Sequence, residues 1–445
     1  MSIRPHAAAY GAQVSHAQSA DQPRQPTAEE RHASWLELFF DLIVVAGTAQ
    51  LAHVLHGEPS LADVGLFTLL YLAFWMIWMC FTVYGNVAGD RARTWTMLIG
   101  MLGMTVLAAS VAGVHEGEHQ QAFAATYVVL RFVASGVWGR RAQMLVDWPV
   151  AQFSAGVTPW IVSIWVDGQA RYWLWAAGLA IDLWATLSFS AANVEANAEA
   201  RRAAGKQRAE RQRGRGRGRG RGRTSLGRVD RESERFDYTL AHVDPVHPGE
   251  RLGLFTIIVL GEGVAQLVMV SSGAHWDHAL RALGLAGFLL LVSIWRLSLV
   301  HGYGGVPNLR ESALPPRLVL FLHCLTNGAL TALAAGLGAA MEHRHDHLPA
   351  SVRWVLCGSF ATYALITLTA AIIVRRTEDT ADTAASWGRL FGHLLPPLAL
   401  SLAIGAFGGA LPATAVVWLL VAAAGWGLVG YATQPGRTRQ PQQAA

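Results

Sequence analysis

The sequence predicts an all-α, polytopic integral membrane protein, and three observations carry that prediction. Of the 445 residues 52% are hydrophobic and 15% are charged, against roughly a quarter charged in a soluble domain. The charges fall in short clusters between long apolar runs. Those runs reach the length of about 20 residues that a helix needs to cross a bilayer. They lack the ten-residue alternation of a transmembrane barrel, so strands are not expected.

Twelve such runs follow one another: 35–57, 61–84, 94–114, 121–139, 148–166, 171–191, 250–272, 278–300, 316–341, 350–374, 388–409 and 411–432. Residues 1–33, rich in Ala, Gln and His without an apolar core, read as a disordered cytoplasmic tail rather than a cleaved signal. A second cytoplasmic tail covers 434–445. Lys and Arg set the orientation. With the N-terminus inside, the inner loops hold Arg91, Arg93, Arg140, Arg141, Arg310, Arg317, Arg375, Arg376 and Arg389. The outer loops hold Arg171, Arg281, Arg344 and Arg353. The expected location is the bacterial inner membrane with both termini in the cytoplasm.

Residues 193–249 divide the chain into six-helix halves, 34–192 and 250–433. This linker contains "RQRGRGRGRGRGRT" from Arg211. Between Arg201 and Arg235 stand 14 Lys or Arg and 4 Asp or Glu, a net +10; the whole chain is +5, which leaves −5 elsewhere. The basic balance therefore belongs to one segment. A flexible linker kept inside by its charge explains it, with attraction to anionic headgroups as a secondary role. No aromatic residue interleaves the arginines to stack bases, so specific nucleic-acid binding is not expected.

The halves resemble each other. Leu36, Leu38-Phe39, Gly47, Ala49-Gln50-Leu51 and Val54 match Leu252, Leu254-Phe255, Gly263, Ala265-Gln266-Leu267 and Val270. One helix on, Ile77-Trp78, Val83 and Gly85 match Ile294-Trp295, Val300 and Gly302; then Thr105-Val-Leu-Ala-Ala matches Thr331-Ala-Leu-Ala-Ala. Three matches in order predict a duplication. An even number of helices per half makes it a parallel repeat about an axis along the membrane normal.

"WLELFFDLIVVAGTAQL" at Trp35 and "ERLGLFTIIVLGEGVAQLV" at Glu250 resemble the two signature helices of the bacterial low temperature requirement A family, and the resemblance runs over about 32–432. It implies an integral membrane protein; the family is named for a growth phenotype and carries no settled biochemical activity. The family's central motif reads Gly-Glu-Ser where this chain has Gly261-Glu262-Gly263, so a role for that hydroxyl does not transfer here. The Arg-Gly insertion is a second departure.

Ionisable residues inside a membrane are costly unless paired or hydrated, which makes each a candidate site. Glu262, about 12 residues into the seventh helix and so about 18 Å deep, is the leading one. Gly261 and Gly263 flank it, Gln266 lies one turn on, and the first half has Ala46 in its place. Arg131, central in the fourth helix, is expected to turn inward onto Glu262 first and Asp182 second. Glu37 and Asp41 share a face of the first helix. They read as an interfacial cap with Ser34 as N-cap, as a cation or proton site, or as partners of Arg296, which could instead snorkel to the headgroups. Gln50 and His53 share a face, and Gln50 is the repeat partner of Gln266. Both are expected in an interior hydrogen-bond network that Asp182, His323, Asn327 and His393 could join.

The clusters "HEGEH" at His115 and "EHRHDH" at Glu342 are expected on the outer face, where solvated loops are the bland account. His343, His345 and His347 are weak candidates for a metal. Cys80, Cys324 and Cys357 lie inside apolar runs and suggest neither zinc nor a disulfide. No phosphate loop, dinucleotide fingerprint, nucleophile elbow or His-Glu-x-x-His occurs, so neither an enzyme nor a bound cofactor is expected. The partners expected are membrane lipids and an unidentified small solute or ion; the sequence has no cue to oligomeric state. A proton- or cation-coupled secondary transporter leads, with a non-transporting lipid- or protein-binding role in envelope or cold stress as the alternative. A polar cavity reaching Glu262 favours the first, and a dry, packed midplane the second.

Overall fold

The structure, a computed structural model, describes residues 34–88, 92–139, 143–145, 148–152, 155–188, 207, 239–241, 246–302, 314–377 and 384–432. The two tails, most of the Arg-Gly linker and the loop arginines Arg91, Arg140, Arg141 and Arg310 lie outside them.

Among the described residues there are twelve α-helices. The first half contributes α1 (Trp35–His53), α2 (Leu61–Ala88), α3 (Thr94–Glu116), α4 (Gln120–Gly139), α5 (Val157–Ser163) and α6 (Gln169–Ser188). The second contributes α7 (Val246–Gly273), α8 (His278–Trp295), α9 (Pro316–Glu342), α10 (Ala350–Thr377), α11 (Ala384–Phe407) and α12 (Ala413–Ala432). Nine of them are long and apolar enough to cross a membrane: α1, α2, α3 and α7 to α12. The 20-residue helices α4 and α6 are outside that set.

Local sequence sets several boundaries. Ser34 and Glu37 form a capping box at the head of α1: Ser34 Oγ accepts from Glu37 N at 3.3 Å and Glu37 Oε2 accepts from Ser34 N at 2.9 Å. Ser60 and Asp63 do the same for α2. Gly117, at φ +90°, ends α3 in the left-handed region that favours glycine. α8 continues as a π-helical turn over Arg296–Val300, and α11 contains Pro396 and Pro397.

One expectation needs correction. The run 148–166 is not one spanning helix. It divides into a 3₁₀ turn at Pro149–Ala151 and the seven-residue α5, about 10 Å long. Pro149 opens the 3₁₀ turn and Gly156 is the N-cap of α5, and Gly156 packs on Gly178 so closely that an added Cβ would lie 2.3 Å from the Gly178 carbonyl oxygen. Outside the twelve runs, β1 (Gln143–Leu145) pairs in parallel with β2 (Thr239–Ala241); the runs themselves are helical, as expected. The last part of the linker region is thereby paired to the loop after α4.

α2 and α9 are the most enclosed of the nine spans. α2 buries Phe74, Trp75, Trp78 and Phe81; α9 is lined with Ala and Gly, which let α10 approach until a Cβ on Gly336 would be 2.9 Å from Leu356 Cα. In the first half α1 packs on α2 and α3, α3 on α2 and α4, α4 on α5, α5 on α6, and α6 on α2. In the second, α7 packs on α8 and α9, α9 on α8 and α10, α10 on α11, α11 on α12, and α12 on α8. The halves meet where α1 and α2 contact α7 and α9, and where α6 contacts α9.

Candidate functional site

Three buried polar centres lie between the helices. The first joins the halves where α1 and α7 begin. Arg251, on α7, has a fully buried side chain and faces Asp41 on α1, also buried. Its Nε donates to Asp41 Oδ2 at 3.2 Å and its Nη2 to Oδ1 at 2.5 Å. Trp78 Nε1, from α2, donates to Asp41 Oδ1 at 2.8 Å. Arg251 Nη1 stands 3.9 Å from Glu37 Oε1, and the guanidinium carbon lies 6.0 Å from the centroid of the Trp78 ring. Gly85 makes room for this arrangement, because a Cβ there would be 2.6 Å from Glu37 Oε1. Trp78 packs on Phe255, which is edge-on to His323. A carbonyl can only accept, so His323 Nε2 donates to Leu252 O at 3.0 Å. Glu37 is thus a cap and also faces the cluster. The cation there is Arg251, not Arg296, which is exposed on the π-helical turn.

The second centre lies within the first half. Arg131 points inward as expected, but its acid is Asp182 rather than Glu262: Arg131 Nη2 lies 3.1 Å from Asp182 Oδ2, with both side chains buried. Arg131 also donates to Val150 O at 3.2 Å and lies 3.8 Å from Cys80 Sγ. Asp182 Oδ1 accepts from Gly156 N at 3.2 Å. The break between the 3₁₀ turn and α5 is what brings Val150 O and Gly156 N to this pair.

The third centre is Glu262, near the middle of the span Gly249–Gly273 and 5% exposed. Gln266 Nε2 donates to its Oε1 at 2.7 Å. Among the described residues no Lys, Arg or His lies within ion-pair distance of it, while Glu37, Asp41 and Asp182 each face an arginine. Gly263 admits Leu291 of α8, and Gly338 of α9 admits the Gln266 amide. Two cavities stand out among the described residues. One, of about 20 Å³, lies among Leu297, Tyr363, Thr367, Pro397 and Gly427. The other is a groove of about 500 Å³ between α7 and α8. Neither is lined by Glu262.

Gln50 and His53 do not join the interior. Both are exposed on α1, and His53 stacks on His56 at 5.2 Å; Ala46, on the face of Gln50, is exposed as well, whereas Glu262 and Gln266 on α7 are buried. Asn327 bonds to the His323 carbonyl on its own helix, and His393 packs against Gly430. At the opposite end of the bundle, His115 Nε2 lies 3.2 Å from Asp63, and His345 Nε2 3.0 Å from Asp277. Asp277 caps α8 and accepts from Leu280 N, which holds its carboxyl below the usual carboxylate range, with His345 and Arg344 adding to the effect. His343 bonds to Ala339 O, and His347 is exposed. Among the described residues no group of three or more His, Cys, Asp or Glu is arranged to hold a metal.

Long apolar helices with arginine–carboxylate pairs buried between them define a polytopic membrane protein. More specifically, the chain belongs to the family described as bacterial low temperature requirement A protein (LtrA), whose pattern matches residues 32–429. Neither a curated protein nor a solved structure matches it.

Proposed function

We propose that the chain is a proton- or cation-coupled secondary transporter of a small solute or ion, with Glu262 as the coupling carboxyl. The observation that carries this reading is the contrast among the buried acids. Three face arginines; Glu262, at the middle of a membrane span, has a neutral amide as its hydrogen-bond partner. A carboxyl in that setting is stable with a proton or a bound cation on it and costly as a bare anion. That alternation is what coupling uses.

The repeat expected from the sequence supplies the second part of the proposal, two homologous halves that move against each other. Most helix-on-helix contacts within the first half have a counterpart in the second; the contact of α2 with α4 does not. The match also extends to α4 and α10, where Ala125-Thr-Tyr127 aligns with Ala361-Thr-Tyr363. That register pairs Arg131 with Thr367. The inner-membrane location with both termini in the cytoplasm puts Arg251 and Asp41 at the inner mouth, where they tie the halves together.

A second reading, a non-transporting protein that binds lipid or partner proteins, is favoured by one observation: neither of the two cavities reaches Glu262. A flux screen separates the two. Proteoliposomes loaded with a pH-sensitive dye are offered a panel of small solutes and monovalent cations, with and without an imposed pH gradient. The transporter reading expects at least one solute to move protons or to be driven by the gradient. A panel with no flux above empty vesicles would support the second reading.

A further inference from the structure

We propose that the groove between α7 and α8 is a binding site for one anionic phospholipid of the surrounding bilayer, with its phosphate at Arg281 and an acyl chain along the groove. This inference does not depend on whether the protein transports. The groove has a volume of about 500 Å³. Its walls are Val264 and Val268 on α7 and Leu285 and Phe288 on α8, at 39%, 61%, 53% and 51% exposure. Large apolar side chains left this open on a membrane span face hydrocarbon. From Val264 to Ser272 the groove follows α7 for about 12 Å, close to the depth of one leaflet, about 15 Å.

The mouth of the groove is polar and cationic. Arg281 donates through Nε to Asp277 O at 3.1 Å and through Nη2 to Trp276 O at 3.2 Å, which fixes the guanidinium at the rim. Among the described residues no acid lies within ion-pair distance of Arg281. The nearby Asp277 carboxylate is engaged by Arg344 and His345 instead. Trp276, 66% exposed, stands beside it where indole rings favour the headgroup level. Ser271 and Ser272 complete the rim. A cation above an apolar trough fits a phosphate joined to an acyl chain.

The first half serves as an internal comparison. α2 begins at Leu61 and α8 at His278, the same spacing that aligns Ile77-Trp78 with Ile294-Trp295. In this register Arg281 stands where α2 has Val64, Trp276 where the first half has Pro59, and Gly284 where α2 has Phe67. Phe67 is buried. A Cβ on Gly284 would meet nothing nearer than Met341 Cε, at 3.8 Å. The second half has therefore exchanged a large ring for glycine at the floor and gained a cation at the rim, two changes that together make a lipid site and that packing alone does not require.

The test uses the full chain reconstituted in vesicles of phosphatidylcholine alone or mixed with phosphatidylglycerol. The protein is then extracted and its retained lipids are counted by native mass spectrometry. One phosphatidylglycerol per chain is expected to survive mild delipidation. Gly284→Phe, which fills the floor, should remove it. Arg281→Gln, at the exposed rim, should keep the fold and lower the preference for phosphatidylglycerol over phosphatidylcholine about fivefold, the effect of one basic residue at an anionic surface. Two results would overturn the proposal: a graded series of adducts with no favoured single lipid, or an unchanged lipid preference in Arg281→Gln. The second decides the matter even if Gly284→Phe fails to fold.

Discussion

Replacing Arg131 with methionine removes the cation from a pair whose side chains are 1% and 2% exposed. Asp182 is then left with the Gly156 amide alone, and the Val150 carbonyl loses its donor. Breaking a buried pair from one side costs about 3–5 kcal/mol, because the other charge stays buried. The double variant Arg131→Met/Asp182→Asn removes both charges, while the introduced side-chain amide can still accept from Gly156 N. What remains are the unbonded Val150 carbonyl and the introduced Nδ2 donor beside it, an imperfection worth about 1–3 kcal/mol. The second substitution should therefore recover about 2 kcal/mol of the loss caused by the first. The assay is reversible unfolding in mixed maltoside and dodecyl sulfate micelles, followed by helical circular dichroism. A single variant within about 1 kcal/mol of wild type, or a double variant no better than the single, would refute the view that this pair is a closed structural unit of the first half.

Two further perturbations probe other contacts. Gly85→Ala puts a methyl 2.6 Å from Glu37 Oε1 and should cost about 1–3 kcal/mol by displacing that carboxylate; the cost should shrink in a Glu37→Ala background, and equal costs in both backgrounds would show that the contact is not the cause. Asp277 is held below the ordinary carboxylate value chiefly by the Leu280 amide. Its contribution to stability is therefore present above about pH 4 and lost as pH falls through the lowered value. Asp277→Asn should flatten the acid side of the melting-temperature profile, and parallel profiles for the two proteins would count against this account.

Periodicity and length made the helical bundle readable, because a bilayer demands long apolar runs, and among the described residues nine of the twelve runs form helices long and apolar enough to cross one. The inward turn of Arg131 was readable for the same reason: hydrocarbon does not tolerate an unpaired guanidinium. Its partner was not, since Glu262 and Asp182 both lie within apolar runs and only packing decides which helix is adjacent. Arg251 shows the limit most clearly. It stands inside one of the two signature stretches, yet its acid is 210 residues away, and nothing local says that the heads of α1 and α7 meet. The fifth run was misjudged because composition outweighed Pro149 and Gly156 as breakers. Gln50 and His53 were placed inside by analogy with Gln266, but the corresponding faces of α1 and α7 have different neighbours. Thr239–Ala241 carries no strand signal strong enough to be seen in three residues.

The most direct test of the central claim is solute uptake by Glu262→Gln proteoliposomes, measured with and without a pH gradient for the solute that the wild-type protein moves. Gln keeps the size of the side chain and can hold a hydrogen bond to Gln266, so the variant should fold and elute as wild type does. The account expects it to lose the response to the pH gradient while retaining any downhill exchange. A folded Glu262→Gln protein whose uptake responds to the gradient as strongly as wild type would contradict it.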